Sequence, residues 1–171
     1  MKRIIAVLIS LVIAACASSP KTNTSQAPQE NTQQPATEVS TVAAPSAAEL
    51  ELKRLTAELE QLQKQSDYFD YNKSTIKPEY QSIIQKQAEF LKTHTNDIVT
   101  LEGNADERGG DAYNMSLGEK RAAAVQQSLV MHGVSAKQIR LVSLGKSKPR
   151  LTCHDETCWK ENRRVDFIHM L

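Results

Sequence analysis

The chain has 171 residues, with 21 lysines and arginines against 20 aspartates and glutamates, and only 5% of its residues are aromatic. This length allows one domain with appendages rather than two large domains. A net charge near zero excludes nucleic-acid binding through bulk electrostatics, which needs a strongly basic surface.

The first fifteen residues are predicted to be a signal peptide. Two basic residues precede an apolar run over residues 4–15, which is shorter than the ~20 residues of a membrane-spanning helix. The sequence Ile13-Ala14-Ala15-Cys16 resembles the bacterial lipobox, which implies an S-diacylglycerol group and an N-acyl chain on Cys16. The alternative is a plain signal peptide that contains a cysteine by chance. Ala17, rather than Asp, follows the sorting pattern of lipoproteins sent to the outer membrane, so the expected location is the periplasmic face of that membrane.

Residues 16–47 are predicted to be a lipidated, disordered tether. After Cys16 the segment consists mainly of Ser, Thr, Gln, Asn, Ala and Pro, with three charged residues and no aromatic residue. Such a composition buries too little apolar surface to offset the entropy of ordering. The expected mean end-to-end distance is about 30 Å, enough to hold a domain away from a membrane surface.

Residues 48–65 are predicted to form a helix that precedes the globular part. Leu52, Leu55, Leu59 and Leu62 follow one another at intervals of three, four and three, which is helical periodicity and also fits a short coiled-coil seam. Two interpretations remain open: a helix that lies on its own domain, or a site of weak self-association. Because the seam lasts fewer than three heptads, a largely solvated spacer helix is favoured.

Residues 66–171 are predicted to form the one globular domain, because every aromatic residue lies within them. Alternating or continuous apolar patterns predict four strands, over residues 67–71, 98–103, 139–144 and 164–169. One helix is predicted to open at Pro78, and a second near Ser116, at capping-box spacing, with its end at Gly133. This order predicts an α/β fold, an α+β sandwich of βαβαββ topology. Its mixed four-stranded sheet is expected to have an antiparallel last strand and helices packed on one face.

Neither a catalytic set nor a metal or cofactor site is expected. The chain contains no Gly-x-Ser-x-Gly, no phosphate-binding glycine loop and no His-Glu-x-x-His, and its four histidines lack ligand-like spacing. Cys153, His154 and Cys158 suggest a metal site, but their spacing is a poor match to zinc motifs. Because an exported protein meets oxidising conditions, a local disulfide between Cys153 and Cys158 is the favoured prediction.

The densest polar segment is residues 103–110 (GNADERGG), at the predicted junction of a strand and a helix. Open α/β sheets present their ligand sites at such junctions. Arg121 lies on the following helix, and residues 162–166 (NRRVD) open the last strand. Each feature alone is explained by a solvated turn, a surface arginine or a charged strand end. Their order and spacing together indicate a functional site.

Taken together, these motifs resemble the OmpA-like peptidoglycan-binding domain. The resemblance covers about residues 66–171 and rests on GNADERGG, Tyr113-Asn114-x-x-Leu117, Arg121-Ala122-x-x-Val125, Gly133, Gly145-x-x-x-Pro149 and NRRV, with Phe69-Asp70-Tyr71-Asn72 at the end of the first strand. With the lipobox included, the whole chain is similar to the lipid-anchored members of that family. The resemblance implies non-covalent binding of peptidoglycan, chiefly of the diaminopimelate residue in its stem peptide.

The free end of diaminopimelate carries an ammonium and a carboxylate, so the implied site needs one fixed anion and one fixed cation. By resemblance, Asp106 binds the ammonium, Arg121 binds the carboxylate in a bidentate manner, and Arg163 is a supporting cation. The implied pocket wall and further hydrogen-bond partners are Tyr71, Asn72, Asn114 and the backbone around Arg108 and Gly109. Many relatives have Asp in place of Asn72, so only a neutral contact is expected there. The central expectation is that the side chains of Asp106 and Arg121 meet in one pocket.

The resemblance further implies partners and a cellular role. Lipid-anchored members act in the Tol–Pal system, with TolB and other Tol proteins as partners, and draw the outer membrane inward at cell division. The alternatives are another OmpA-like wall-binding lipoprotein without Tol partners, or a peptidoglycan-active enzyme. Glycosidases need two carboxylates that converge across a cleft. Asp106 and Glu107 are adjacent in sequence, so an enzyme is not expected.

Overall fold

The computed structural model describes residues 44–171. The predicted signal peptide, the predicted lipidation site Cys16 and the predicted tether up to residue 43 lie outside the described residues. Within the described part of the chain, no helix is both long enough and apolar enough to span a bilayer.

Helices and strands alternate along the described residues. The helices are α1 (Ala47–Gln63), α2 (Gln81–Thr93), α3 (Asp111–Met131) and α4 (Glu156–Asn162). The strands are β1 (Ser66–Tyr68), β2 (Ile98–Asn104), β3 (Ile139–Gly145) and β4 (Arg164–Met170). Short 3₁₀ helices at Pro78–Tyr80 and Ala136–Gln138 precede α2 and β3.

The strands form one mixed sheet in the order β1-β4-β2-β3. β2 and β3 are parallel, with Leu101 opposite Leu141, and β4 runs antiparallel to both β1 and β2. The predicted mixed sheet with an antiparallel last strand is confirmed. Because β4 lies between β1 and β2, the C-terminal ends of the first three strands and the N-terminal end of β4 share one edge of the sheet. The polar segments that the sequence singles out adjoin this edge.

The hydrophobic core lies between one face of the sheet and helices α2 and α3. Its fully buried members come from both layers, at strand and helix spacing: Val99, Leu101, Val165, Phe167, Ile84, Ala88, Leu91, Ala122, Val125 and Leu129. Burial of one such side chain contributes about 1.5–3 kcal/mol to stability. This core fixes α3 against β2, and the polar segment 103–110 joins these two elements.

α3 begins at Asp111, so the predicted start near Ser116 is wrong. Ser116 has capping-box spacing, but it lies inside the helix. Gly118, two residues further, is required by packing, because a Cβ there would lie 2.6 Å from the carbonyl oxygen of Gly103 on β2. The observed N-cap is Gly110, and the negative charge of Asp111 in the first turn favours the positive end of the helix dipole.

Two further boundaries differ from the prediction. β1 ends at Tyr68 rather than at residue 71, and the chain turns at Asn72, whose backbone is left-handed (φ 56°). No helix was predicted before the last strand, yet α4 forms there. Asp155 caps α4 by accepting hydrogen bonds from the backbone amides of Thr157 (2.8 Å) and Cys158 (3.4 Å).

α1 covers nearly the same residues as the helix predicted over 48–65, and it begins with a capping box at Ser46. Its leucine seam becomes more exposed towards the N terminus: Leu62 is buried, Leu59 and Leu55 are half-buried, and Leu52 is 65% exposed. The C-terminal half of α1 therefore lies on the domain, whereas its N-terminal half is open to solvent.

A buried hydrogen-bond network holds the C-terminal end of α1. His169 on β4 lies with Nδ1 2.5 Å from an oxygen of Asp97 and Nε2 2.8 Å from the amide oxygen of Gln87. The amide nitrogen of Gln87 donates to the carbonyl oxygen of Leu62 at 2.9 Å. Since every polar group here has a partner, the network meets the condition for burying charged groups.

Candidate functional site

A pocket of about 50 Å³ lies where β2 joins α3, beside the turn after β1. Its walls come from these three segments and consist of Tyr71, Asn72, Asp106, Arg108, Gly109, Tyr113, Asn114, Leu117 and Arg121. Six of the seven predicted binding side chains line this pocket. The seventh, Arg163, reaches it from behind through Asp106. A space of this size accepts the charged tip of a ligand rather than a whole residue.

Asp106 is the fixed anion of the pocket, and only 4% of its surface is exposed. Arg108 donates to it through Nε at 3.1 Å and Nη2 at 2.6 Å, and also through its backbone amide at 3.1 Å. Arg163 Nη1 adds a bond at 3.3 Å. Burial raises the pKa of Asp106, but these hydrogen bonds and charges outweigh burial, so its pKa lies below the ordinary value. Asp106 is therefore ionised at neutral pH.

Arg121 is a completely buried cation that is held by backbone oxygens. Its Nε, Nη1 and Nη2 donate to the carbonyl oxygens of Lys73 (2.8 Å), Asn104 (2.7 Å) and Asp70 (3.1 Å). Burial, followed by repulsion from Arg163, lowers the pKa of Arg121 to about 10, so the side chain stays charged at neutral pH. A guanidinium has five N–H donors. Three of these donors bond to carbonyl oxygens, and among residues 44–171 no carboxylate pairs with Arg121 directly.

Asp106 and Arg121 line one pocket, but they do not bind each other. The carboxylate of Asp106 is occupied by Arg108 and Arg163, whereas Arg121 joins the turn after β1 to the end of β2. The two charges are close enough for Asp106 to offset part of the lowering of the pKa of Arg121. The geometry is that of two separate, fixed charges of opposite sign on the wall of one small pocket.

Arg108 lies at the mouth of the pocket between two aromatic rings. Its guanidinium carbon is 4.0 Å from the ring centre of Tyr71 and 3.9 Å from that of Trp159. Such cation–π contacts contribute about 0.5–2 kcal/mol each. The indole N–H of Trp159 donates to Glu107 at 2.8 Å, which fixes the ring in place. Arg108 therefore covers Asp106 as a held side chain and not as a mobile surface arginine.

Sequence reasoning missed the contribution of α4. Glu156 pairs with both Arg163 and Arg108, the latter at 3.9 Å, and so closes a ring of alternating charges with Asp106. Trp159 comes from the same helix. The available signal was Asp155 followed by Thr157 and Cys158, an N-cap pattern that predicts a short helix here.

Neutral side chains complete the pocket wall. The hydroxyl of Tyr113 donates to the side-chain oxygen of Asn72, and Asn114 donates to the carbonyl oxygen of Arg108 at 3.0 Å. Asn72 takes up its left-handed backbone more readily than most residues do. In this chain its side chain makes a neutral contact and adds no charge to the site.

A disulfide joins Cys153 and Cys158, with Cα atoms 5.5 Å apart, beside this site. His154, inside the closed loop, lies with Nδ1 2.7 Å from Glu107, the residue that follows Asp106. The loop and Trp159 thus hold Glu107 from two directions. With both sulfurs in the bond, the two cysteines offer no thiolate ligands to a metal.

Comparisons with known proteins identify the family of the chain. Residues 68–163 match the profile of the OmpA family. A peptidoglycan-associated lipoprotein of Pseudomonas putida is 50% identical over 100 residues, which are 58% of this chain and 60% of that relative. The crystal structure of the peptidoglycan-associated lipoprotein from Burkholderia pseudomallei is 43% identical with a TM-score of 0.62, and the match covers 63% of this chain and 91% of that one. The chain thus spans about three fifths of the length of the curated relatives that it matches.

Proposed function

The chain belongs to the OmpA family, and from this membership we propose that it is an outer-membrane lipoprotein that binds peptidoglycan without a covalent bond. Acyl chains on Cys16 anchor one end in the membrane, and the folded domain binds the cell wall at the other. Several acyl chains give stable anchoring where one chain binds only weakly. The protein then tethers the outer membrane to the wall, with residues 16–47 as the connection between anchor and domain.

The pocket at Asp106 and Arg121 carries this proposal. The end of diaminopimelate presents an ammonium and a carboxylate on one carbon. Asp106 offers an ionised carboxylate, and Arg121 offers a positive charge on the pocket wall, on a guanidinium that backbone oxygens already hold in place. Because both groups are fixed before the ligand arrives, binding costs little side-chain entropy.

Arg108 sets the condition for ammonium binding. It already occupies both oxygens of Asp106, so the ammonium has to share this carboxylate or displace Arg108 from it. Glu156, 3.9 Å from Arg108 Nη2, is a second carboxylate that can receive the displaced guanidinium.

The proposal is tested by sedimentation of the chain with purified sacculi. Asp106→Ala is expected to weaken binding roughly 10- to 100-fold, because loss of a charge-assisted contact costs about 1.5–3 kcal/mol. Arg121→Lys keeps the charge but loses the planar donor set, and is expected to weaken binding to a similar degree. Arg140→Ala, on the exposed surface of β3, is the matched control and should bind as the wild type does. Unchanged sedimentation of both site variants, with folding confirmed by circular dichroism, removes the proposed mechanism.

We further propose a place for the protein in the Tol–Pal system, with TolB as a partner at the same surface and a role in drawing the outer membrane inward at division. The support is the resemblance of the motifs to the lipid-anchored members of the family. The test is copurification of TolB with the detergent-solubilised full-length chain. If sacculi and TolB share the surface, added TolB lowers sedimentation with sacculi. Absence of TolB from the purified material favours a wall-binding lipoprotein outside the Tol system.

A further inference from the structure

A second cleft, of about 250 Å³, lies next to the first pocket. Its walls come from the end of β1, the 3₁₀ turn before α2 and the end of α4, and they are Tyr68, Phe69, Lys77, Tyr80, Lys160, Glu161 and Arg163. Apart from Arg163, none of these residues belongs to the site implied by the family motifs. The cleft has room for one sugar ring with its substituents.

Two tyrosine rings form the apolar part of this cleft. The ring centres of Tyr68 and Tyr80 are 6.0 Å apart, and the ring planes are tilted by 47° relative to each other, so the two rings form a V-shaped wall. Arg150 fixes Tyr68 by donating to its hydroxyl at 2.5 Å. Burial raises the pKa of both tyrosines above the ordinary value, so their hydroxyls stay protonated and can donate hydrogen bonds. Half-buried aromatic rings with polar tips suit a ligand that has one apolar face and many hydroxyl groups.

Charged groups of both signs border the rings. Lys160 and Glu161 contribute one charge of each sign. The ammonium of Lys77 is already compensated by Asp70 at 3.1 Å and Glu79 at 3.9 Å. A phosphate or carboxylate would lie close to these carboxylates, whereas a neutral sugar uses both the donors and the acceptors. The charge pattern therefore favours a neutral polyhydroxyl ligand over an anion.

The two sites are neighbours along the chain and are joined by Arg163, which lines the cleft and bonds to Asp106 of the pocket. Phe69 borders the cleft and Tyr71 borders the pocket, so their Cα atoms are at most about 7 Å apart. Arg163 donates through Nε to the carbonyl oxygen of Phe69 at 2.9 Å and through Nη1 to Asp106 at 3.3 Å. In peptidoglycan, only two amino acids separate the sugar-linked lactyl group from diaminopimelate, so a sugar and a diaminopimelate of one stem suit two sites that are neighbours.

We propose that the cleft at Tyr68 and Tyr80 binds one N-acetylated sugar of the glycan strand while the stem peptide of that sugar occupies the pocket at Asp106 and Arg121. The inference rests on the proposed function and adds a glycan subsite to it. The protein then recognises a sugar and its attached peptide together, which distinguishes the wall from free peptides in the periplasm.

The test is isothermal titration of the full-length chain in detergent with two soluble ligands, a disaccharide–tetrapeptide and the same tetrapeptide without sugars. The wild type is expected to bind the disaccharide–tetrapeptide about tenfold more tightly. Tyr80→Ala is expected to reduce this ratio to about one without changing the affinity for the free tetrapeptide. Tyr80→Phe keeps the ring and should retain most of the ratio. Lys86→Ala, on the exposed face of α2, is the matched control with an unchanged ratio.

Two results overturn the inference: a wild-type ratio of one, or a ratio that Tyr80→Ala leaves unchanged. If Tyr80→Ala does not fold, Lys160→Ala decides, because Lys160 is exposed and its truncation is expected to leave the fold intact. It should lower the ratio about threefold, and an unchanged ratio there also overturns the inference. Asp106→Ala separates this question from the proposed function. If that variant still binds the free tetrapeptide like the wild type, the proposed function fails whatever the ratio is.

Discussion

Asp67 on β1 is expected to make the stability of the protein depend on pH. Its side chain is completely buried, and neither carboxylate oxygen has a hydrogen-bond partner among the described residues. Burial raises the pKa of Asp67 from 3.8 to about 7. Ionisation of this group in the folded protein is therefore costly, since nothing compensates the buried charge.

The sign and size of the effect follow from this pKa. Between pH 3.8 and about 7 the folded protein holds a proton on Asp67 that the unfolded chain has released, so stability falls as the pH rises. The full difference corresponds to about 4 kcal/mol above pH 7 and vanishes below about pH 4. Between pH 5 and pH 8 the wild type is expected to lose roughly 2–3 kcal/mol through this residue.

Asp67→Val removes the ionisable group and places a β-branched residue opposite Val165 on β4. Urea unfolding, followed by the fluorescence of the single tryptophan, Trp159, measures the free energy of unfolding of both proteins at pH 5, 6, 7 and 8. The variant should be more stable at every pH, and its advantage should grow by roughly 2–3 kcal/mol from pH 5 to pH 8. The comparison cancels every other titrating group. Parallel pH profiles for the two proteins would refute the assignment of a raised pKa to Asp67.

Three further outcomes are expected. Gly118→Ala should lower the melting temperature by several degrees, because the new Cβ would lie 2.6 Å from the backbone of Gly103. Gly110→Ala is the control and should leave the melting temperature unchanged, because the space around Gly110 is open. Equal melting temperatures of the two variants contradict this packing argument. Trp159→Leu removes one of the two rings that hold Arg108 and should weaken sedimentation with sacculi several-fold. If the variant instead retains full binding, Arg108 needs no such support. Reduction of the Cys153–Cys158 disulfide should lower the free energy of unfolding by only about 2 kcal/mol, since the loop that it closes is short. A larger loss in thermal unfolding contradicts that value.

The sequence predicted the helices and strands better than the residues at which they begin and end. The reason is that the boundaries depend on contacts between residues that are distant in sequence. Apolar periodicity located the strands of the sheet and the faces of α2 and α3 that meet the core. The start of α3 was wrong because Ser116 has a local capping pattern, whereas the true start depends on how the turn after β2 directs the chain. Gly118 shows the same limit. Its role is set by Gly103 on another element, and no local pattern contains that information.

The binding site shows a similar division. The motifs predicted that Asp106 and Arg121 share one pocket, and they line it together. The partners of these two residues could not be predicted, because they come from distant segments. Arg121 bonds to carbonyl oxygens of the turn after β1, and Asp106 is joined through Arg163 and Arg108 to Glu156 on a helix that was not predicted.

The charge balance of the site explains how one pocket can hold a zwitterion. Three arginines, Arg108, Arg121 and Arg163, surround it, and two carboxylates, Asp106 and Glu156, pair with Arg108 and Arg163 alone. The surplus positive charge belongs to Arg121, whose partners are neutral carbonyl oxygens. A ligand carboxylate compensates this charge directly, whereas a ligand ammonium has to compete with Arg108 for Asp106. For the proposed ligand we therefore expect the carboxylate to be the stronger determinant of binding, so a ligand with its carboxylate amidated should lose more affinity than one with its ammonium acetylated. Isothermal titration of the two modified tetrapeptides measures this order, and the reverse order shows that Asp106 rather than Arg121 dominates recognition.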